Sequence, residues 1–120
     1  MATSLLGVLT IILGAFGAHS LKEVLSDNLH KSFETAVRYQ MYHVLALLFI
    51  NTTNSISLTF QKRISTLFFI GITLFSGSIY MMTIFHVPAK SIWFVTPLGG
   101  LFLIAGWATL CLNFIKNHKS

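Results

Sequence analysis

Charged residues divide the chain into four long apolar segments. No Asp, Glu, Lys or Arg occurs in residues 1–21, 39–61, 64–89 or 91–115. Each segment reaches the roughly 20 residues that a helix needs to cross about 30 Å of hydrocarbon. A charge at the centre of a membrane helix costs about 2.5–3.5 kcal/mol on insertion scales, so this spacing is informative. The segments are too long and too uniformly apolar for barrel strands, and the pattern therefore predicts transmembrane helices.

The pattern predicts an all-α, polytopic membrane protein that forms a single four-helix domain. The spans are expected at about residues 4–19, 37–57, 64–86 and 91–115. The second span is the least apolar because the polar run Asn51–Ser55 follows its core. We expect its helix to start early, near Leu29, and to continue toward residue 55.

The segment between the first two spans, residues 20–37, holds all three acidic residues. Ser20 and Glu23 fit a capping box, in which both side chains close exposed amides at a helix start. An apolar residue recurs every fourth position along the segment: Leu21, Leu25, Leu29, Phe33 and Val37. These features predict a short amphipathic interfacial helix, broken around Ser26-Asp27-Asn28. A solvated loop is the alternative.

The composition agrees with a membrane protein. Apolar residues make up 54% of the 120-residue chain and charged residues only 9%, too few to hydrate the surface of a soluble domain. The net charge of +5 forms no dense basic stripe, so we expect no nucleic-acid partner. The single cysteine, Cys111, excludes an intrachain disulfide. The apolar N-terminus lacks a basic n-region, so we interpret it as a retained helix rather than a signal peptide.

Basic residues give only a weak indication of orientation. With the N-terminus in the cytoplasm, that side receives Lys62, Arg63, Lys116 and Lys119. The opposite side receives an equal number: Lys22, Lys31, Arg38 and Lys90. The first set is concentrated in a short turn and a tail, which favours both termini in the cytoplasm.

Small residues along three of the spans indicate close helix packing. Lipid provides no hydrophobic drive between helices, so membrane bundles use small residues to bring backbones together. Pro97 cannot donate to the carbonyl of Trp93, which predicts a bend there. The packing candidates are Gly14, Gly17, Gly77, Pro97, Gly99 and Gly100. The alternative is that the glycine-rich fourth helix lines a ligand cleft or a gate.

Several motifs occur in an order that resembles the YgdD-like family of small membrane proteins. They are Leu13–His19, Tyr39–His43, Phe75–Tyr80, Thr96–Gly100 and Ala105–Trp107, and together they extend over essentially the whole chain. The resemblance implies a four-helix protein of the bacterial inner membrane with a cytoplasmic C-terminus. It implies no activity. Arg38 and His86 lie outside the family pattern, so a role for either would be particular to this chain.

The predicted topology places His19, His30, Arg38, His43 and His86 in or near the same leaflet, whichever way the chain is oriented. Ionisable residues within a span are functional candidates because they are costly to place there. The ligand-binding candidates are His19, Arg38, Gln40 and His43. The histidines can instead be neutral groups bonded between helices, or axial ligands of a haem. Arg38 can simply pair with Glu34 and extend toward the interface.

No motif indicates catalysis. The chain contains neither a nucleophile elbow nor a phosphate-binding loop, and its carboxylates lie away from mid-membrane. We predict no cofactor and no metal, and we favour a non-catalytic bundle that binds a lipid, a small ligand or a partner. A small oligomeric channel or transporter and a histidine-ligated redox protein are the alternatives. Membrane lipids are the expected partners, with a second copy of the chain or another membrane protein as further candidates.

Overall fold

The computed structural model describes the backbone of residues 2–119 and the side chains of 2–88 and 90–116. This part of the chain is helical and contains no strand. The five α-helices are α1 (Ala2–Phe16), α2 (Asp27–Thr52), α3 (Leu58–Thr83), α4 (Ala89–Ile92) and α5 (Val95–Lys119), and a π-helical segment, Gly17–Leu21, continues α1.

Three of the helices are long and apolar enough to cross a membrane: Ala2–Leu21, Leu58–Thr83 and Val95–Lys116. The sequence predicted four. The remaining predicted span, the second, lies mostly in α2, which has sufficient length at 26 residues but a lower mean hydropathy than the other three helices. Its first half carries Asp27, Lys31, Glu34 and Arg38, and its last turn ends in Asn51 and Thr52.

The predicted interfacial helix between the first two spans is absent. The π-helical segment carries the chain past Ser20 in a helical conformation, so Ser20 does not cap a new helix. The first cap is Ser26, whose extended backbone starts α2 and whose hydroxyl accepts a hydrogen bond from the backbone N–H of Leu29 at 3.3 Å. The early start predicted for the second helix is confirmed, since α2 begins at Asp27.

The apolar stripe of residues 21–37 is only partly continuous. Leu21, Leu25 and Phe33 form a buried cluster, against which Val37 and Tyr80 pack. Leu29 is exposed. The turn at residues 22–26 separates Leu21 and Leu25 from α2, so the stripe does not form one continuous helix face.

A left-handed backbone conformation at His86 follows the end of α3 at Thr83. The N–H of Val87 donates to the carbonyl of Met81 at 3.1 Å, across the turn that follows the helix. His86 occupies the position that usually holds glycine, with φ at 56°. His86 therefore belongs to the turn that follows α3.

The predicted bend near Pro97 is a break between two helices. Trp93 and Phe94 separate α4 from α5, and α5 begins at Val95. Pro97 lies in the first turn of α5, where a missing N–H leaves no helical hydrogen bond unmade. The proline therefore favours a helix start here.

Helix α2 lies between α1 and α3 and runs antiparallel to both. Along α1, Gly7 faces Val44, Gly14 faces Val37 and Gly17 faces the ring of Phe33. An added Cβ at Gly17 would lie only 2.4 Å from that ring. The glycines of α1 thus form the surface on which α2 packs. We call the end of the bundle near residues 22–26 and 84–88 the loop end, and the end near residues 53–57 the termini end.

Helix α5 packs against α3 through three glycines. The backbone of Gly99 lies against the backbone of Leu74 and Phe75, Gly71 lies against Leu103, and Gly106 lies against Phe68. The structure differs from the sequence prediction at two other positions. Gly77 has no neighbour within 4 Å of an added Cβ, and Gly100 meets only the ring of Phe75 at 3.9 Å.

Candidate functional site

The side chain of His43 bonds to its own helix, α2, and to α5. Its Nε2 accepts a hydrogen bond from the indole N–H of Trp107 at 3.0 Å. Its Nδ1 lies 2.6 Å from the carbonyl oxygen of Tyr39. An indole only donates and a carbonyl only accepts, so the ring carries its proton on Nδ1 and is neutral. Both ring nitrogens of His43 are therefore already in use.

Aromatic rings surround the hydrogen bond between His43 and Trp107. The His43 ring lies edge-on to Phe68 with centroids 5.0 Å apart, and Phe68 lies 5.3 Å from Trp107. Phe68 is fully buried, and Gly106 leaves the space that its ring fills. The cluster joins α2, α3 and α5, so His43 contributes to the bundle's cohesion.

Gln40 forms a second polar connection inside the bundle, joining α1, α2 and α3. Its Oε1 accepts a hydrogen bond from the Tyr80 hydroxyl at 2.6 Å, and its Nε2 donates to the carbonyl of Leu6 at 3.3 Å. One helical turn away, the hydroxyl of Ser76 donates to the carbonyl of Ala36 at 2.8 Å. Gln40 is buried and both of its side-chain polar atoms are bonded.

His19 and His43 do not come together. His19 lies exposed in the π-helical segment, which meets α2 at His30. His43 lies thirteen residues further along α2 than His30, about 20 Å at 1.5 Å per residue. The two imidazoles therefore cannot ligate one haem iron in this arrangement. Among the described residues, no group of three or more His, Cys, Asp or Glu is placed to hold a metal ion.

Arg38 borders an open groove between α1 and α2. The groove has a volume of about 420 Å³, and a smaller cavity of about 180 Å³ continues it toward the loop end. Arg38, Gly14 and Val37 line both. The missing side chain at Gly14 is what opens the space between the helices, and apart from Arg38 the walls of the larger groove are mainly apolar.

The charge of Arg38 is weakly compensated. One guanidinium nitrogen lies 4.0 Å from the Glu34 carboxylate and another donates to the Thr35 hydroxyl at 3.3 Å. Both members of the ion pair are about half exposed, so the pair predicted from their spacing contributes little. The guanidinium keeps donors available toward the groove.

His30 makes a contact with Gly17 that the sequence did not predict. Its Nε2 lies 2.9 Å from the carbonyl oxygen of Gly17, and its Nδ1 lies 3.4 Å from a carboxylate oxygen of Glu34. The Gly17 carbonyl belongs to the π-helical segment. Nothing in the sequence marks that segment, so the contact had no detectable signal.

Asn113 is a second unforeseen feature. It is fully buried in α5, and neither its amide nitrogen nor its side-chain oxygen has a hydrogen-bond partner among the described residues. A buried, unpaired carboxamide lowers stability. Nothing in the sequence distinguishes this asparagine from other polar residues near a helix end.

Comparison with known proteins identifies the family of the chain. A family model described as a protein of unknown function (DUF423) matches residues 13–100. The UPF0382 membrane protein of Staphylococcus haemolyticus is 39% identical over 103 residues, which cover 86% of this chain and 83% of that protein. The UPF0382 inner membrane protein YgdD of Escherichia coli is 34% identical over 117 residues, covering 92% and 83%.

No solved structure matches the chain. The relatives resemble it over most of their own length, and their printed names agree with the apolar helices described above. The resemblance deduced from the glycine and aromatic motifs is confirmed. The chain belongs to the DUF423 family of membrane proteins.

Proposed function

We propose that the protein crosses the membrane four times and binds a membrane lipid in the groove between α1 and α2. The position of α2 supports the four crossings. Its contacts extend from Phe33 beside Gly17 to Val44 beside Gly7 on α1, and from Tyr39 beside Phe75 to Asn51 beside Ser65 on α3. Helix α2 therefore lies alongside two apolar helices over most of their length, and this position supports a crossing by α2.

The lower hydropathy of α2 is compatible with this position. Its 26 residues extend about 39 Å, which exceeds the hydrocarbon thickness by about six residues. The excess places Asp27 and Lys31 outside the hydrocarbon at the loop end. Gln40 and His43 are turned inward and bonded, so lipid meets the apolar face of the helix.

The basic residues at the termini end support a cytoplasmic location for that end. Lys62, Arg63 and Lys116 lie there, whereas the basic residues at the loop end are interspersed with acids. We therefore propose that the C-terminus is cytoplasmic and that the membrane is the bacterial inner membrane, as in the name of the E. coli relative.

The groove between α1 and α2 supports binding rather than catalysis. It combines an apolar wall with one guanidinium that extends toward the loop end, in the direction of the headgroups. This arrangement matches an anionic phospholipid, with an acyl chain beside Gly14 and a phosphate at Arg38. Tyr42 lines the same groove. Gln40 joins the two helices that form the groove, and His43 joins α2 to α5. His19 follows Ala18, which lines the smaller cavity at the loop end.

The experiment is photo-crosslinking with phosphatidylglycerol that carries a diazirine on its acyl chain, in proteoliposomes, followed by peptide mapping. We expect labelling of α1 and α2 along the groove. Arg38→Gln should reduce that labelling about fivefold. One cation near a membrane surface contributes about 1 kcal/mol to the binding of an anionic lipid, which corresponds to about that factor. Lys31→Gln is the matched control, because it removes the same charge from the same helix away from the groove.

A second pair of variants tests the apolar part of the groove. Gly14→Leu fills the space between the helices and should abolish the labelling there. Gly77→Leu adds the same side chain where an added Cβ meets no neighbour, and it should leave the labelling unchanged. Equal labelling in Arg38→Gln and Lys31→Gln, or in Gly14→Leu and Gly77→Leu, would contradict the proposed site.

A further inference from the structure

A larger groove lies at the termini end, between α3 and α5. It has a volume of about 530 Å³ and an open mouth. Lys62 and Arg63 border it from the start of α3, and Lys116 borders it from the end of α5. We call Lys62, Arg63 and Lys116 the basic triad. Three cations thus converge on one groove from two helices.

The basic triad has no acidic counterpart. The three acids of the chain lie between residues 23 and 34, at the opposite end of the bundle. Within the described part of the chain, the ion pairs both involve Glu34. The charges of the triad are therefore available for an external anion.

One member of the triad is held by an aromatic ring. The Lys116 ammonium lies 5.5 Å from the ring centroid of Phe60, within the range of a cation–π contact. Phe60 also lines the groove. The contact orders Lys116 at the groove, which lowers the entropic cost of binding an anion there.

The groove changes from basic to apolar with depth. Arg63 lies about one helical turn into α3, and Leu67 lies one turn deeper toward the membrane centre. On α5, Leu112 lies one turn deeper than Lys116. This order, cations at the headgroup level and leucines beneath, follows the order of groups in a phospholipid.

We propose that this groove binds one anionic phospholipid, with its phosphate at the basic triad and an acyl chain along Leu67 and Leu112. Basic pockets between transmembrane helices suit anionic headgroups in this way. The site is independent of the α1–α2 groove, because it lies on a different helix pair at the other end of the bundle. Charge complementarity distinguishes this occupant from a neutral lipid.

The test uses diazirine-labelled phosphatidylglycerol and phosphatidylcholine in proteoliposomes of the full chain, with peptide mapping of α3 and α5. We expect preferential labelling of these helices by phosphatidylglycerol. Changing the basic triad to glutamine should reduce the preference at least fivefold, since each cation near the surface contributes about that factor. The preference should also fall with added salt.

The matched control changes Lys22, Lys31 and Lys90 to glutamine, which removes the same net charge from the loop end. This variant should keep the preference at α3 and α5. Equal loss in both triple variants, or equal labelling by the two lipids in the unchanged protein, would overturn the proposal. Displacement of the lipid by inorganic phosphate at matched ionic strength would also overturn it, because it would show a site for the free anion. Labelling of α1 and α2 reports separately on the proposed function.

Discussion

Gly99→Ala should be among the most damaging small substitutions in the bundle. The backbone of Gly99 lies so close to α3 that an added Cβ would be 2.3 Å from the backbone nitrogen of Phe75 and 2.8 Å from its Cα. Ordinary contact begins near 3.4 Å. Because both obstructing atoms belong to the backbone, no rotamer change relieves the overlap, and α5 must move away from α3 by about 1 Å.

The change in the free energy of unfolding is the sum of two opposing contributions. Overpacking a well-packed interface costs about 1–3 kcal/mol, and a backbone obstruction places this site at the upper end. The better helix propensity of alanine stabilises the folded variant by up to about 1 kcal/mol. The expected net loss is about 2 kcal/mol. Separation of the helices would also weaken the hydrogen bond between Ser78 and Thr96.

The assay is reversible unfolding in mixed micelles, which gives the free energy of unfolding. Gly77→Ala is the matched control, because its added Cβ meets nothing within 4 Å and only the propensity gain remains. We expect Gly77→Ala to be neutral or more stable by up to about 1 kcal/mol. Equal stability of the two variants would refute the close approach of α3 and α5 at Gly99.

Two further predictions concern polar groups in the interior. Trp107→Phe removes the donor to His43 Nε2 and keeps an aromatic ring. The unfolding free energy should therefore fall by about 0.6 kcal/mol and by no more than about 1.7 kcal/mol, the average and the maximum for hydrogen bonds between membrane helices. Trp93→Phe changes an exposed indole and should have little effect; equal losses would contradict the assigned bond. Asn113→Leu removes two buried, unpaired polar atoms and should raise the unfolding free energy by about 1–3 kcal/mol. A loss of stability in the same measurement would show that the amide has a partner.

The helical architecture could be predicted because charges and apolar runs respond directly to the bilayer. The starts and ends of helices were harder. Ser20 and Glu23 satisfy the spacing of a capping box, yet the π-helical segment carries the chain through Ser20 and moves the cap to Ser26. A wider helical turn has no sequence signature, so its consequences could not be predicted.

The candidate site was only partly predictable, for a similar reason. The sequence places Arg38 near an interface, but the groove exists because Gly14 of α1 faces Val37 of α2, a tertiary pairing. It also identifies His43 as important, but its partner Trp107 lies 64 residues away. Gly14 and Gly77 look alike in sequence, and only the packed structure shows that one faces a helix and the other open space.

The crossing of α2 is the central claim, and labelling of single cysteines tests it directly. In a background with Cys111→Ser, Lys22→Cys and Asn54→Cys place one thiol at each end of α2, both at exposed positions. A membrane-impermeant maleimide, applied to right-side-out and to inverted vesicles, reports the side of each thiol. Four crossings predict that the two thiols react from opposite sides, with Asn54→Cys accessible from the cytoplasm. Reaction of both thiols from the same side would contradict the account, because α2 would then lie along the membrane.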